Sequence, residues 1–155
     1  MKGVQAFKEI EDLDAESKYL VHKAKDAALN AYAPYSKFYV GAAVILDDDS
    51  VVTGANHENA SYPLCMCAER VALYSAVATH PTRKVKKMAV IAHKKGQKEL
   101  VAATPCGACR QVMLEFEVKQ KQPIEIVMLT KESDWIIVPS SSYLLPYSFN
   151  QENLI

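Results

Sequence analysis

Two short segments constrain this chain more than anything else in it. They are Cys67-Ala68-Glu69-Arg70 and, 39 positions after Cys67, the run Pro105-Cys106-Gly107-Ala108-Cys109. Each opens a stretch with helical apolar spacing. The first continues through Val71, Leu73, Tyr74 and Val77, the second through Cys109, Val112, Met113 and Phe116. A Cys-x-x-Cys pair at a helix start places both sulfurs near the same end of that helix. Unpaired N–H groups and the positive end of the helix dipole favour thiolate there over thiol. A fold that uses all three sulfurs must bring two helix N-termini to one point.

Three thiolates from Cys67, Cys106 and Cys109 fill three tetrahedral positions around one Zn²⁺ per chain and leave the fourth for water. That is a catalytic arrangement, since structural zinc usually takes four protein ligands. The metal lowers the pKa of its water. Glu69, two residues from Cys67, sits where one carboxylate can carry protons without being a ligand. The pattern is that of zinc deaminases acting at cytosine C4 or adenine C6. Cys-x-x-Cys alone is also compatible with a redox pair; the upstream Cys-x-Glu is what sharpens the reading. Cys65 as a fourth ligand would close the site, and a small buried thiol is the better reading. Arg70 is either a surface or interface arginine or a donor that withdraws charge from the three thiolates. His22, His57, His80 and His93 stand in no ligand spacing.

Around these segments the chain reads as alternating helix and strand. A helix is expected from Asp14 to Tyr32, ended by Pro34. Strands follow at Tyr39 to Leu46 and Val51 to Ala55, joined by a turn at Asp47-Asp48-Asp49-Ser50. A helix over Cys67 to Ala78, a strand over Val85 to His93, a charged loop from Lys94 to Ala103 and a helix after Pro105 come next. Pro123 to Thr130 and Trp135 to Val138 read as strands, and Tyr143 to Ile155 as unassigned. The order α-β-β-α-β-α-β-β implies an α/β fold, a mixed sheet with helices on both faces. The 155 residues fit one domain, 1–155, with one core. Lys+Arg and Asp+Glu are equal at 18 each, so charge gives no reason to expect a nucleic-acid or membrane partner. No apolar run is long enough for a signal peptide or a membrane span, and a cytoplasmic location is expected. Four cysteines there are better metal than disulfide candidates.

From about Ala24 to Phe149 the sequence resembles the small zinc-dependent cytidine deaminases that form homotetramers. The carrying segments are 32–38 (YAPYSKF), 40–43 (VGAA), 54–63 (GANHENASYP), 67–70 (CAER), 105–112 (PCGACRQV) and 144–146 (LLP). The resemblance implies a three-layer α-β-α sandwich with a five-stranded mixed sheet. It implies hydrolytic deamination of cytidine and 2′-deoxycytidine, with Glu69 catalytic. It also implies that Asn56 and Glu58 bind the ribose 3′-hydroxyl, that Phe38 packs on the pyrimidine, and that Ala68 belongs to the substrate-binding set. Ala60, Tyr62 and Phe149 match positions that reach into a neighbouring subunit's site. Tyr39 departs from the Pro that is usual in the family, beside Phe38, and the segments Lys94 to Ala103 and Val118 to Gln122 look longer than is common. Two other readings stand: a deaminase of another cytosine-containing substrate, such as a nucleoside antibiotic or a polynucleotide, and a non-enzymatic zinc module.

Overall fold

A computed structural model describes residues 3–155. In chain order the elements are β1 (Gln5–Phe7), α1 (Ala15–Ala28), β2 (Phe38–Leu46), β3 (Val51–Ala55) and α2 (Ala68–Thr79). Then come β4 (Val85–Lys94), β5 (Leu100–Val101), α3 (Gly107–Gln120), β6 (Glu125–Leu129) and β7 (Trp135–Val138). The strands form one sheet in the order β1-β7-β6-β4-β2-β3, with β5 on β4. Only the β4–β6 pair is parallel, and α3 lies in its crossover. The expected mixed sheet is present with seven strands instead of five. The two additions are β1 and β5, three and two residues long, which exist through their pairing with β7 and β4.

Strand alternation divides the core into two layers. On β2, Gly41, Ala43 and Ile45 turn to one face, where Ala43 and Ile45 join Leu20, Val21, Ala24 and Ala28 of α1. Ala42, Val44 and Leu46 turn to the other face and join Ala68, Ala72 and Leu73 of α2 and Cys109 and Met113 of α3. A Cβ on Gly41 would lie 1.9 Å from the Ala24 carbonyl oxygen, so α1 rides directly on the β2 backbone. Gly54 does the same for α2: a Cβ there would lie 2.5 Å from Ala72 N and 2.6 Å from Ala68 O. The first turn of α2 therefore sits hard against β3.

Helix α1 ends earlier than its spacing predicts. It starts at Asp14, whose side chain accepts from Ser17 N, and stops at Ala28 with Leu29 as C-cap. Residues 29–31 close a turn, and Tyr32 instead makes a β-bridge to His57. The apolar periodicity thus outlasts the helix, because Tyr32 is claimed by tertiary pairing and not by Pro34.

Chain direction explains why two helix N-termini converge. Helix α2 leads into the start of β4, and α3 follows its end. Both helices lie on the same face, so both N-termini fall at the C-terminal end of β4. Ligands of open α/β sheets characteristically bind at that end.

The opposite end of β4 holds a buried cation. Lys87 is only 7% exposed, and its Nζ lies 3.0 Å from Glu125, 3.2 Å from Glu16 and 3.4 Å from Asp14, with Ser17 Oγ at 3.2 Å. Burial alone would lower the Lys87 pKa, but hydrogen bonding and attraction from Glu125, with Asp14 and Glu16, raise it above its ordinary 10.5. Partial burial of Asp14 works upward, yet hydrogen bonds from Ser17 and the Lys87 charge hold it below its ordinary 3.8.

Lys87→Met should therefore destabilise the fold by about 1–3 kcal/mol near neutral pH, a buried-pair loss reduced because the three carboxylates reach solvent. The wild-type advantage should fade as pH falls below Asp14's ordinary value through its lowered one. It should fade again as pH rises above 10.5 through the raised value of Lys87. Urea unfolding of both proteins across pH checks this. A difference that persists unchanged at about pH 2 would remove the ion pairs from the account.

Candidate metal and active site

Cys67 is the N-cap of α2 and Cys106 the N-cap of α3, and neither sulfur caps its own helix. Cys109 lies in the first turn of α3, fully buried. Cys67 Sγ is 3.8 Å from Cys106 Sγ, Cys106 Sγ is 3.5 Å from Cys109 Sγ, and all three lie within 4.8 Å of one another. Tetrahedral zinc with Zn–S bonds of about 2.3 Å spaces its sulfurs about 3.8 Å apart, so the donor set fits that metal. Among the described residues no histidine or carboxylate joins the group, and neither does Cys65.

The surroundings favour anionic sulfur. Hydrogen bonding to Cys109, opposed by burial and helped by Arg70 and Cys106, draws the Cys67 pKa down to about 5. The proton is kept by Cys109, which its bond to Cys67 and its burial push upward. A dication held by Cys67, Cys106 and Cys109 would displace that proton and ionise the set. Arg70 Nη2 donates to Cys67 Sγ at 3.6 Å, and that bond raises the guanidinium's own pKa. The structure thus places Arg70 on a ligand sulfur and not free on the surface. Arg110 fixes the other helix start, donating from Nε to Pro105 O at 2.8 Å and from Nη1 to Leu144 O at 3.1 Å.

Glu69 follows Ala68 into the first turn of α2 and is 4% exposed. Burial raises its carboxyl to about 7, with the Cys67 thiolate adding to the effect. It lines a cavity of about 470 Å³ together with Cys67, Cys106, Phe38, Asn56 and Glu58. Ser36, Val40, Cys65, Met66, Val90, Ala103 and Thr104 complete the wall. Another cavity, of about 360 Å³, lies near the C-terminal ends of α2 and α3 and contains no thiol or carboxylate. The three clustered thiols and the buried Glu69 carboxyl are all at the N-terminal end.

Sequence reasoning did not single out Ser36, Met66, Val90, Ala103 or Thr104. Thr104 directly precedes Pro105-Cys106, which was a usable signal; the others are brought in by the β2–β4 pairing and the 57–66 loop. Cys65 was expected to be a small buried thiol. It is half-buried on the cavity wall, its Sγ accepting from Asn59 N at 3.3 Å and 3.6 Å from Asn59 O. Ala60, Tyr62, Ala68 and Phe149 do not line this cavity. Ala68 is buried behind it, whereas Tyr62 and Phe149 are 68% and 58% exposed. Tyr39 falls on the α1 face of β2, away from the cavity, and stacks on His93 at 5.3 Å.

Helices on both faces of a mixed sheet, with three thiols and a buried carboxyl gathered at two helix N-termini, define a class: α/β proteins with an open zinc site built for hydrolysis. Comparison narrows the class. The family model described as "Cytidine and deoxycytidylate deaminase zinc-binding region" matches residues 14–123. A cytidine deaminase of Sporosarcina psychrophila is 39% identical over 135 residues, covering 87% of this chain and 92% of its own. The crystal structure of the Burkholderia pseudomallei cytidine deaminase superposes with a TM-score of 0.72 at 41% identity, over 88% of this chain and all of that one. The Mycobacterium tuberculosis enzyme gives 0.69 at 34%, over 88% and 99%. The chain belongs to the cytidine deaminase family of zinc-binding proteins.

Proposed function

We propose that this chain hydrolyses free cytidine and 2′-deoxycytidine to uridine and 2′-deoxyuridine with release of ammonia, as one catalytic domain spanning 1–155. The observation that carries the reading is the cavity itself. Its wall brings Cys67, Cys106 and the buried Glu69 together with an aromatic ring, an amide and a carboxylate. Zn²⁺ held by Cys67, Cys106 and Cys109 would supply a Lewis acid that acidifies a water at its open position. Glu69, whose carboxyl is raised by burial from its ordinary range, is placed to take and give a proton. Adding water across the C4–N3 bond needs a proton at N3, and releasing the 4-amino group needs one at that nitrogen. One Glu69 oxygen serves both. Phe38 offers a face to the pyrimidine, and Glu58 offers a carboxylate oxygen to a sugar hydroxyl.

A free nucleoside is preferred to a polynucleotide, since a net charge of zero gives no electrostatic reason to expect a phosphate backbone as partner. Following cytidine loss by ultraviolet absorbance with and without a chelator, against a cytosine-containing oligonucleotide, tests both points. Turnover of the oligonucleotide alone, or chelator-resistant turnover of cytidine, would sink the reading. Four unpaired cysteines, three of them needed reduced, support a cytoplasmic location.

The active unit is proposed to be a homotetramer with shared sites. Tyr62 and Phe149 are exposed and stand outside their own cavity, as residues that close a neighbour's would. Gln111 Nε2 donates to Phe149 O at 2.8 Å, tying the tail to α3. Light scattering should give four times the 17.2 kDa chain mass. Glu69→Gln chains co-refolded with Phe149→Ala chains should be more active than the sum of the two parents. No gain in tetramers shown to be mixed would refute sharing.

A further inference from the structure

The tail of the chain lies along α3, the helix that starts at Cys106 and Cys109. Glu117 takes hold of its beginning: Oε2 accepts from Ser140 Oγ and Oε1 from Ser141 N, both at 2.8 Å. Nearer the start of the helix, Arg110 Nη1 donates to Leu144 O at 3.1 Å. Its neighbour Gln111 donates from Nε2 to Phe149 O at 2.8 Å. At about 1.5 Å per residue, α3 covers roughly 9 Å between Glu117 and Gln111. The tail thus runs back along α3 and brings Phe149 to the end where the thiols are.

Beyond Leu145 the holds thin out. Pro146 has no N–H to donate, Tyr147 is fully exposed, and Phe149 is mostly exposed. After Phe149 the chain closes on itself. Asn150 caps a turn over 151–153, its Oδ1 accepting from Glu152 N and its N donating to Asn153 Oδ1, both at 2.9 Å. Among the described residues, the bond from Gln111 is the one hydrogen bond that fastens 146–155 to the rest of the chain. Gln111 and Phe149 both stand outside the cavity of their own chain. What Gln111 meets is the backbone that carries the ring.

We propose that Gln111 is a positioning residue for Phe149, its carboxamide fixing the tail backbone on α3 and so setting the ring that closes a neighbouring subunit's cavity. The proposal rests on the shared-site reading of the tetramer. Loss of the hold should show in substrate binding and not in chemistry. Gln111→Glu keeps the length of the side chain but sets a carboxylate oxygen against Phe149 O. In the zinc-loaded protein it should raise KM for cytidine about three- to ten-fold, the worth of one hydrogen bond. Zinc content should be unchanged and kcat within about two-fold of the wild type. In a Phe149→Ala background the same change should cost less than about two-fold.

A placement that acts on the neighbour can be repaired from the neighbour. Gln111→Glu chains, which keep Glu69, are co-refolded with Glu69→Gln chains, which keep the tail hold. Sites with an intact Glu69 then receive a correctly held Phe149, and the measured KM should return toward the wild-type value. An unchanged KM in Gln111→Glu, a raised KM left unrepaired in tetramers shown to be mixed, full additivity with Phe149→Ala, or lost zinc would overturn the proposal. Chymotrypsin cleavage after Tyr147 and Phe149, followed by mass spectrometry, reads the tail without turnover, and it should quicken in Gln111→Glu. If Phe149→Ala leaves KM unchanged, the shared-site reading fails by itself. Unchanged cleavage then still overturns the hold.

Discussion

Glu69→Gln should bind zinc as the wild type does and lose turnover of cytidine by about three to four orders of magnitude. A single proton carrier contributes roughly 10²–10⁴-fold, and Glu69 is the one carboxyl on the cavity wall beside the ligand sulfurs. The amide is isosteric and neutral, so it fits a pocket that already disfavours charge: burial holds the wild-type carboxyl at about 7. Packing in the first turn of α2 is therefore retained. Zinc content by atomic absorption and turnover by ultraviolet assay are measured on the same preparation. Full zinc with full activity would remove the acid–base role, and lost zinc would make Glu69 part of the metal site.

Cys67→Ala, Cys106→Ala and Cys109→Ala should each lose the metal, and with it all measurable activity, whereas Cys65→Ala keeps both. Three sulfurs within 4.8 Å leave no spare ligand among the described residues to replace a lost one. Removing one also reorders the protons: Cys67 owes its low pKa first to its bond with Cys109. The three variants should differ in stability. Cys109 is fully buried, so its substitution leaves a small void in the core, at about 1 kcal/mol beyond the loss of metal. Cys106 is exposed, and its change costs the metal alone. Zinc lost from Cys65→Ala would show that the ligand set has been misassigned.

The metal-binding residues were legible in the sequence because their chemistry is local: two caps and a first-turn residue, each at a helix start marked by its own periodicity. The architecture followed from the same alternation. What escaped was decided by pairing across the chain. Gln5–Phe7 and Leu100–Val101 have no strand signal of their own and are strands only because β7 and β4 offer them an edge. Tyr32 left its helical pattern to bridge His57. Lys87 sits in a mostly apolar strand run, and nothing in its neighbours announces the three carboxylates that gather from α1 and β6. The resemblance matches Asn56 to a sugar-binding position, and what it could not announce is that the same amide accepts from Val40 N and donates to Phe38 O where β3 leaves β2.

Gly54 has a wider bearing. The hydrolytic centre hangs on α2 and α3, while the wall that meets the substrate hangs on the frayed ends of β2 and β3. One contact that joins the two is the naked backbone of Gly54 under the first turn of α2. A single added methyl at position 54 would press on the α2 backbone at Ala68 and Ala72, so the first turn of α2, which carries Glu69, would have to shift against β3. For anyone redesigning this enzyme, position 54 is to be left alone, and the loops around Phe38 and Glu58 are where new specificity can be sought.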